Sequence, residues 1–293
     1  MNGSLATGPV LHPTDFSEAA AAAHPYALYL AALFGADLHL LHVEESGSRS
    51  EPVADFPDSA PAWSEASSWL AGSEATRPSS PEEVESPAIR RNTRRGGGPA
   101  EVILACADDI GAGAISMGTR GRGGIRRLVL GSVTERVVRK ARRPVMTVRQ
   151  GARGWEEDGL RRLLVGADLS PMMQPALAWA GTIAAASRAE LMAVHVVTSY
   201  AAATEQEQLQ RIHAAFRELD LDGVDLNAEL MIGDPGIRIR ELADEHGVDL
   251  IVTSTHGRSV PARLVLGSTT EHLVRRAPCP VLTVSDPPPR RGT

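Results

Sequence analysis

Apolar residues along this chain alternate between two patterns. Short, nearly unbroken runs occur at Pro9–Thr14, Leu38–Val43, Ala114–Met117 and Val145–Val148, and again at Leu163–Ala167, Leu191–Val197, Leu226–Ile232, Asp249–Thr253 and Val281–Val284. Runs of this length, rich in Val, Ile and Leu and bounded by Gly, Pro or Asp, predict strands buried on both faces. Between them lie longer stretches with apolar positions at helical spacing: Glu18–Phe34, Pro99–Ile110, Val133–Ala141, Met172–Ala186 and Glu205–Leu219, where Leu209, Ile212, Phe216 and Leu219 recur on one side. Ser17 is placed to cap the first helix and Asp234 a later one, and Pro99 suits a first helical turn because it lacks an N–H. Strand, helix and strand within residues 9–43 form a βαβ unit, which requires parallel strands. A further strand is expected at Val84–Arg90.

The pattern then repeats. Asp15-Phe16-Ser17 recurs as Asp168-Leu169-Ser170, and His42 and Val43 recur as His195 and Val196, an offset of 153 residues. From the third helix onward the offset is 136, so the first half carries 17 extra residues. They fall within 44–82, a Ser-, Pro-, Ala- and Glu-rich excursion standing where the second half has the amphipathic helix at 205–219; a helical turn or two around Ala62–Ala71 would accommodate Trp63 and Trp69. Residues 150–159 read as a linker, 1–8 as a lead-in and 286–293 as a Pro/Arg tail. Hence two tandem domains are expected, at 7–149 and 160–286. Each is an α/β, doubly wound, five-stranded parallel sheet of order 3-2-1-4-5, whose ligand crevice lies beyond the strand ends where the winding reverses.

The stretch from Met117 to Ser132 carries the candidate chemistry. Gly118, Gly121 and Gly131-Ser132 make a glycine-rich loop that leaves a strand and opens a helix, and LVLGS at 128–132 returns letter for letter at 264–268. Glycines let a ligand approach the backbone, and a helix start presents unpaired N–H groups at the positive end of its dipole, so this is an anion site fitted to phosphate. The plainer alternative is a loop with Ser132 as an ordinary N-cap. Strand order 3-2-1-4-5 sets Asp15 beside the first loop and Asp168 beside the second, where each would grip the other end of a nucleotide or, more simply, close an Asx turn. His42 and His195 read as core histidines. His256 is discounted as a catalytic base because Arg120 holds its place in the first half. The arginines from 120 to 143 read mostly as a solvated face.

Composition excludes several classes. The net charge is −6, giving no global reason for nucleic-acid binding, and Lys140 is the one lysine, flanked by Arg139 and Ala141, so no Walker lysine exists. Cys106 and Cys279 belong to no metal-spaced cluster and read as structural thiols. No apolar run has the length of a membrane span and no leader pattern opens the chain, so a soluble cytoplasmic protein without membrane partners is expected. SGG-x-DS and HIGH-type motifs of adenylating enzymes are absent.

Gly-x2-Gly-x9-Gly-Ser at 118–132, the twofold repeat, Asp15 and Asp168, and the closing APCPVLTV of 277–284 together resemble two fused universal stress protein domains. The resemblance implies an adenine nucleotide alpha hydrolase-like fold, ATP (or ADP or AMP) bound with Mg, and domains paired through their last strands, with a homodimer as a further expectation. It implies nucleotide contacts from Asp15, Val43, Gly118, Gly121, Arg122, Gly131, Ser132 and Val133. In the second half it implies Asp168, Val196, Ser254, Gly257, Arg258, Gly267, Ser268 and Thr269. Ser254 replaces the first glycine, a departure that would cost about 1 kcal/mol if its φ were positive. No positioned base accompanies the loops, so the nucleotide is expected to be a regulatory or structural ligand in a stress response, hydrolysed slowly at most, with no catalytic residue assigned. The alternative is a scaffold that binds partner proteins without nucleotide.

Overall fold

A computed structural model describes residues 8–44, 87–120, 130–155, 159–171, 173–197, 204–219, 221, 223–255 and 266–285. The first half contains β1 (Val10–Thr14), α1 (Glu18–Leu33), β2 (Leu38–Glu44), β3 (Ile89–Arg95), α2 (Pro99–Asp109), β4 (Ala114–Gly118), α3 (Ser132–Lys140) and β5 (Val145–Val148). The second contains β6 (Arg162–Gly166), α4 (Met173–Ser187), β7 (Glu190–Val197), α5 (Glu205–Arg217), β8 (Leu226–Ile232), α6 (Pro235–Glu245), β9 (Leu250–Ser254), α7 (Ser268–Arg276) and β10 (Val281–Val284). The expected caps form: Ser17 accepts from Ala20 N, and Asp234 from Ile237 N.

The strands make one ten-stranded sheet of order β3-β2-β1-β4-β5-β10-β9-β6-β7-β8. Each half has the expected order 3-2-1-4-5, and every pairing within a half is parallel. The halves join where β5 and β10 run antiparallel, with Leu282 opposite Met146. Thr147 and Thr283 strengthen that seam by donating their hydroxyls to the carbonyls of Val281 and Val145. Central strands β1, β4, β5, β9 and β10 are buried along their whole length, which accounts for their unbroken apolar runs.

The third strand differs from its expected position. β3 runs over Ile89–Arg95 rather than 84–90, because its register is set by pairing from Leu38↔Ile89 to Glu44↔Arg95. It is an exposed edge strand carrying Arg90, Arg91, Arg94 and Arg95, and charged edges conceal the apolar signal that marks inner strands. Residues 1–7 of the lead-in, 45–82 of the excursion with its Ala62–Ala71 turn, and the tail lie outside the described residues.

Two layers of helices cover the sheet unequally. On one face α1, α4 and α5 pack on a single apolar core that runs through both halves, from Val10 and Tyr29 to Leu177 and Phe216. On the other face there are two separate cores, one under α2 and α3 and one under α6 and α7. The expected linker is a packed element over 150–155. Trp155 stands edge-on to Tyr26 and Tyr29, with ring centroids 4.6 Å away in each case, and its indole N–H donates to Asp249 O at 2.8 Å. Arg153 donates its backbone N–H to Pro278 O and accepts from Tyr26 Oη on its carbonyl.

Candidate functional site

In each half the crevice opens because strands one and four diverge. β1 and β4 pair at two positions, Val10↔Ala114 and Leu11↔Ile115. Beyond them the His12 ring spans the gap, donating from Nδ1 to Ser116 O at 2.8 Å. His12 is fully buried and its pKa is lowered to about 4 by desolvation; neighbouring His24, 5.4 Å away between ring centroids, is lowered to about 3 by burial and by the charge on His12. Both are neutral structural groups near neutral pH. In the second half β6 and β9 hold together for three pairs, Leu163↔Leu250 to Val165↔Val252.

At the crevice rim the chain leaves strand one through a left-handed residue in both halves: Phe16 has φ 59° and Leu169 φ 56°. A bulky side chain rarely adopts this conformation, and such strain collects at functional turns. The flanking carboxylates hold the turn. Asp15 Oδ1 accepts from Ser17 N at 3.1 Å, and Asp168 Oδ1 accepts from Ser170 N at 3.0 Å and Ser170 Oγ at 2.6 Å. The Asx turn considered from sequence is therefore present at both aspartates. Sequence reasoning missed the left-handed residues, since neither Phe nor Leu signals that conformation. His42 and His195 are buried and donate from Nδ1 to the carbonyls of Thr14 and Ala167, as core histidines do.

Across the crevice stand the glycine-capped helix starts. Gly131 is the N-cap of α3 and Gly267 that of α7, each at extended ψ of 141° with no side-chain cap. Ser132 and Ser268 are thus the first helical residues, which corrects the reading of Ser132 as an N-cap, and both are exposed. The arrangement is held in duplicate. Gly131 N donates to Thr119 O at 2.9 Å and Gly267 N to Thr255 O at 3.1 Å, while Thr119 N and Thr255 N donate to Val148 O and Val284 O. From inside the helices Thr134 Oγ1 donates to Gly118 O at 2.9 Å and Thr270 Oγ1 to Ser254 O at 2.7 Å. A Cβ on Gly131 would lie 3.2 Å from Thr119 O, so the glycine keeps the backbone close to the end of β4.

Gly118 and Ser254 have a different relationship from the one expected. Neither has positive φ, so the serine carries no backbone strain. Gly118 is needed because a Cβ there would come within 2.5 Å of Ala19 O at the start of α1. Its counterpart Ser254 lines the second-half crevice.

The second half gathers its expected residues around one cavity of about 160 Å3: Asp168, Val196, Ser254, Gly267, Ser268 and Thr269 all line it. In the first half, Thr14↔His42 pairing sets Asp15 beside Val43, and Val133 follows the helix start. Gly121, Arg122, Gly257, Arg258 and His256 lie outside the described residues. Among the described residues no three His, Cys, Asp or Glu side chains converge on a possible metal position. Cys106 and Cys279 are buried free thiols, the latter pushed up to about 12 by burial, which leaves it unreactive.

This fold is a pair of doubly wound α/β units sharing one sheet, with each unit's crevice at its winding reversal. Comparison with known families matches residues 7–149 and 159–285 to the Universal stress protein family, and the chain belongs to that family. A universal stress protein of Methanocaldococcus jannaschii is 37% identical over 82 residues, which cover 28% of this chain and 46% of that protein. One from Synechocystis is 26% identical over 154 residues, covering 53% of this chain and 51% of its own length. The chain thus spans about half the length of these curated relatives. Among solved structures, a universal stress protein from Archaeoglobus fulgidus superposes with a TM-score of 0.66 at 21% identity, over 94% of this chain and 98% of that one, a likeness of fold.

Proposed function

We propose that each half binds an adenine nucleotide in its crevice, ATP with Mg in the first instance, as a regulatory or structural ligand of a stress-response protein. The observation that carries this reading is the second-half cavity, where a carboxylate on one wall faces an uncapped helix start on the other. A helix N-terminus whose N–H groups meet no capping side chain attracts phosphate oxygens, and glycine at the cap removes the side chain that would obstruct them. The cavity of about 160 Å3 has the strand-one carboxylate and the helix start on its walls, as a nucleotide gripped at both ends would need. Asp168 and Val196 would meet adenine or ribose, and Gly267, Ser268 and Thr269 the phosphates, with Ser254 between them. In the first half the matching contacts are Asp15, Val43, Gly118, Gly131, Ser132 and Val133. Gly121, Arg122, Gly257 and Arg258 are proposed on the same motif.

Mg is compatible with the hard oxygen donors at hand, the Ser132, Ser268 and Thr269 hydroxyls and the two aspartates. With no protein cluster among the described residues to hold it, the ion would arrive on the phosphates. Bound there, it would offset phosphate charge, and the two aspartates, set at the base and ribose end, would stand away from any attacking water, in keeping with slow turnover at most. A reducing, nucleotide-rich compartment such as the cytoplasm suits this ligand and two free thiols. Any homodimer would need a surface other than β5 and β10, which are spent on each other.

The test is to denature the purified protein, quantify released adenine nucleotide per chain, and titrate it calorimetrically with ATP and Mg. Two sites per chain are expected, falling to one in Gly131→Val, whose branched side chain would stand where phosphate approaches. Unchanged affinity in that variant would overturn the site assignment. No nucleotide retained or bound would favour the nucleotide-independent scaffold.

A further inference from the structure

Leu130 and Leu266 occupy the same place in the two halves, immediately before the glycine that caps the phosphate-facing helix. Both are buried, at 4% and 7% exposure. Neither belongs to the apolar core of its own half. Leu130 joins the apolar core of the second half, with Ile239, Leu273 and Val281, and Leu266 joins that of the first, with Leu11, Ile115 and Val137. Every other described member of each core comes from the half that owns it, so the exchange is reciprocal. Its cause is the antiparallel β5–β10 seam, which brings the α3 and α7 sides of the sheet together across an approximate twofold axis.

The crossing ties each helix start to a neighbour's packing. Gly131 cannot move far from Thr119 O without drawing Leu130 out of the second core, and withdrawal would leave an apolar void there. We propose that Leu130 and Leu266 are positioning residues that couple the two sites, each fixing the phosphate end of its own half from within the core of the other. The identity of the ligand rests on the preceding reading, whereas the crossed anchoring stands on packing alone. A nucleotide that holds Gly131 and Ser132 in place also holds Leu130 in the second core, so filling either site raises affinity at the other, and by linkage the effect is equal in both directions.

Hydrogen exchange followed by mass spectrometry on the nucleotide-free full chain tests the anchoring. Leu130→Ala is expected to speed exchange at least tenfold in β9, α6 and α7 of the second half, and Leu266→Ala in β4, α2 and α3 of the first. Leu130→Met, which keeps the volume, restores the wild-type pattern. Leu273→Ala, a second-half core truncation with no crossing, speeds exchange in its own half. Exchange that rises only in the half containing the altered leucine would overturn the proposal. Titration with ATP and Mg tests the coupling: Gly131→Val is expected to weaken binding at the second site at least threefold, and that loss disappears when Leu130→Ala is the background. Sites indifferent to one another's blockage would overturn the coupling. A wild-type chain that binds no nucleotide but keeps the crossed exchange pattern would overturn the nucleotide reading alone.

Discussion

The hydroxyl of Thr134 donates to the carbonyl of Gly118 at 2.9 Å, pinning the first turn of α3 to the last residue of β4. Thr270 makes the same bond to Ser254 at 2.7 Å. Each bond is buried and joins a strand end to the helix start across the glycine-rich loop. Thr134→Val keeps the shape and removes the donor, which should cost about 1–2 kcal/mol of stability. Denaturant unfolding would show that loss, and calorimetry a weaker first site with a smaller loss at the coupled second one. Equal weakening of both sites would instead report on the exchanged leucines.

Gly118 and Ser254 should respond in opposite ways to interchange. Gly118→Ser sets a Cβ 2.5 Å from a backbone oxygen that α1 cannot readily move, and a loss of about 1–3 kcal/mol is expected. Ser254→Gly removes a hydroxyl from a cavity wall where φ is not positive, so its cost should stay within about 1 kcal/mol. Thermal melts of the two variants decide the matter; similar losses would mean that the two positions share one constraint after all.

Acid should act on the first half through its two buried histidines. Their pKa values fall from 6.5 to about 4 and about 3 on folding, so the unfolded chain binds protons that the folded chain refuses. Stability from this source is complete above pH 6.5 and is lost as pH falls towards 3, with His12 alone accounting for about 3 kcal/mol. His12→Gln, which keeps a donor for Ser116 O, should flatten the pH dependence of urea unfolding between pH 6 and 4 while lowering stability at pH 7. An unchanged slope would assign acid sensitivity elsewhere.

Trp155 should govern whether the halves unfold together. Its indole fills the space between α1 of the first half and the start of β9, and Trp155→Ala is expected to cost about 3–5 kcal/mol. Calorimetric scans should resolve two transitions in the variant where the wild type shows one. A single transition in both would mean that the β5–β10 seam alone enforces cooperativity.

Much of this was legible in the residue pattern because parallel strands buried on both faces read as unbroken apolar runs. Leu38–Val43 and Val281–Val284 were placed within a residue for that reason, and the duplicated Asp-x-Ser and LVLGS segments located both crevices. β3 was misplaced by five residues since its register depends on β2 rather than on its own arginines. The left-handed Phe16 and Leu169 left no trace in side-chain type. Gly118 stands out in the sequence as part of a phosphate loop, whereas the structure shows a steric need for it against Ala19, a contact across the fold that spacing does not reveal. The crossing of Leu130 and Leu266 was likewise hidden: the repeat shows that they correspond, while which core each enters depends on how the two halves dock.

The antiparallel seam between β5 and β10 has one more consequence. Units that meet through their last strands as separate chains fall apart on dilution, so any site that depended on the pair would weaken as the protein became scarce. Here a covalent tether closes that equilibrium, and the partner's effective concentration stays fixed however little protein is present. Ligand occupancy in this chain should therefore follow the ligand's abundance alone, from the first copy synthesised to the last.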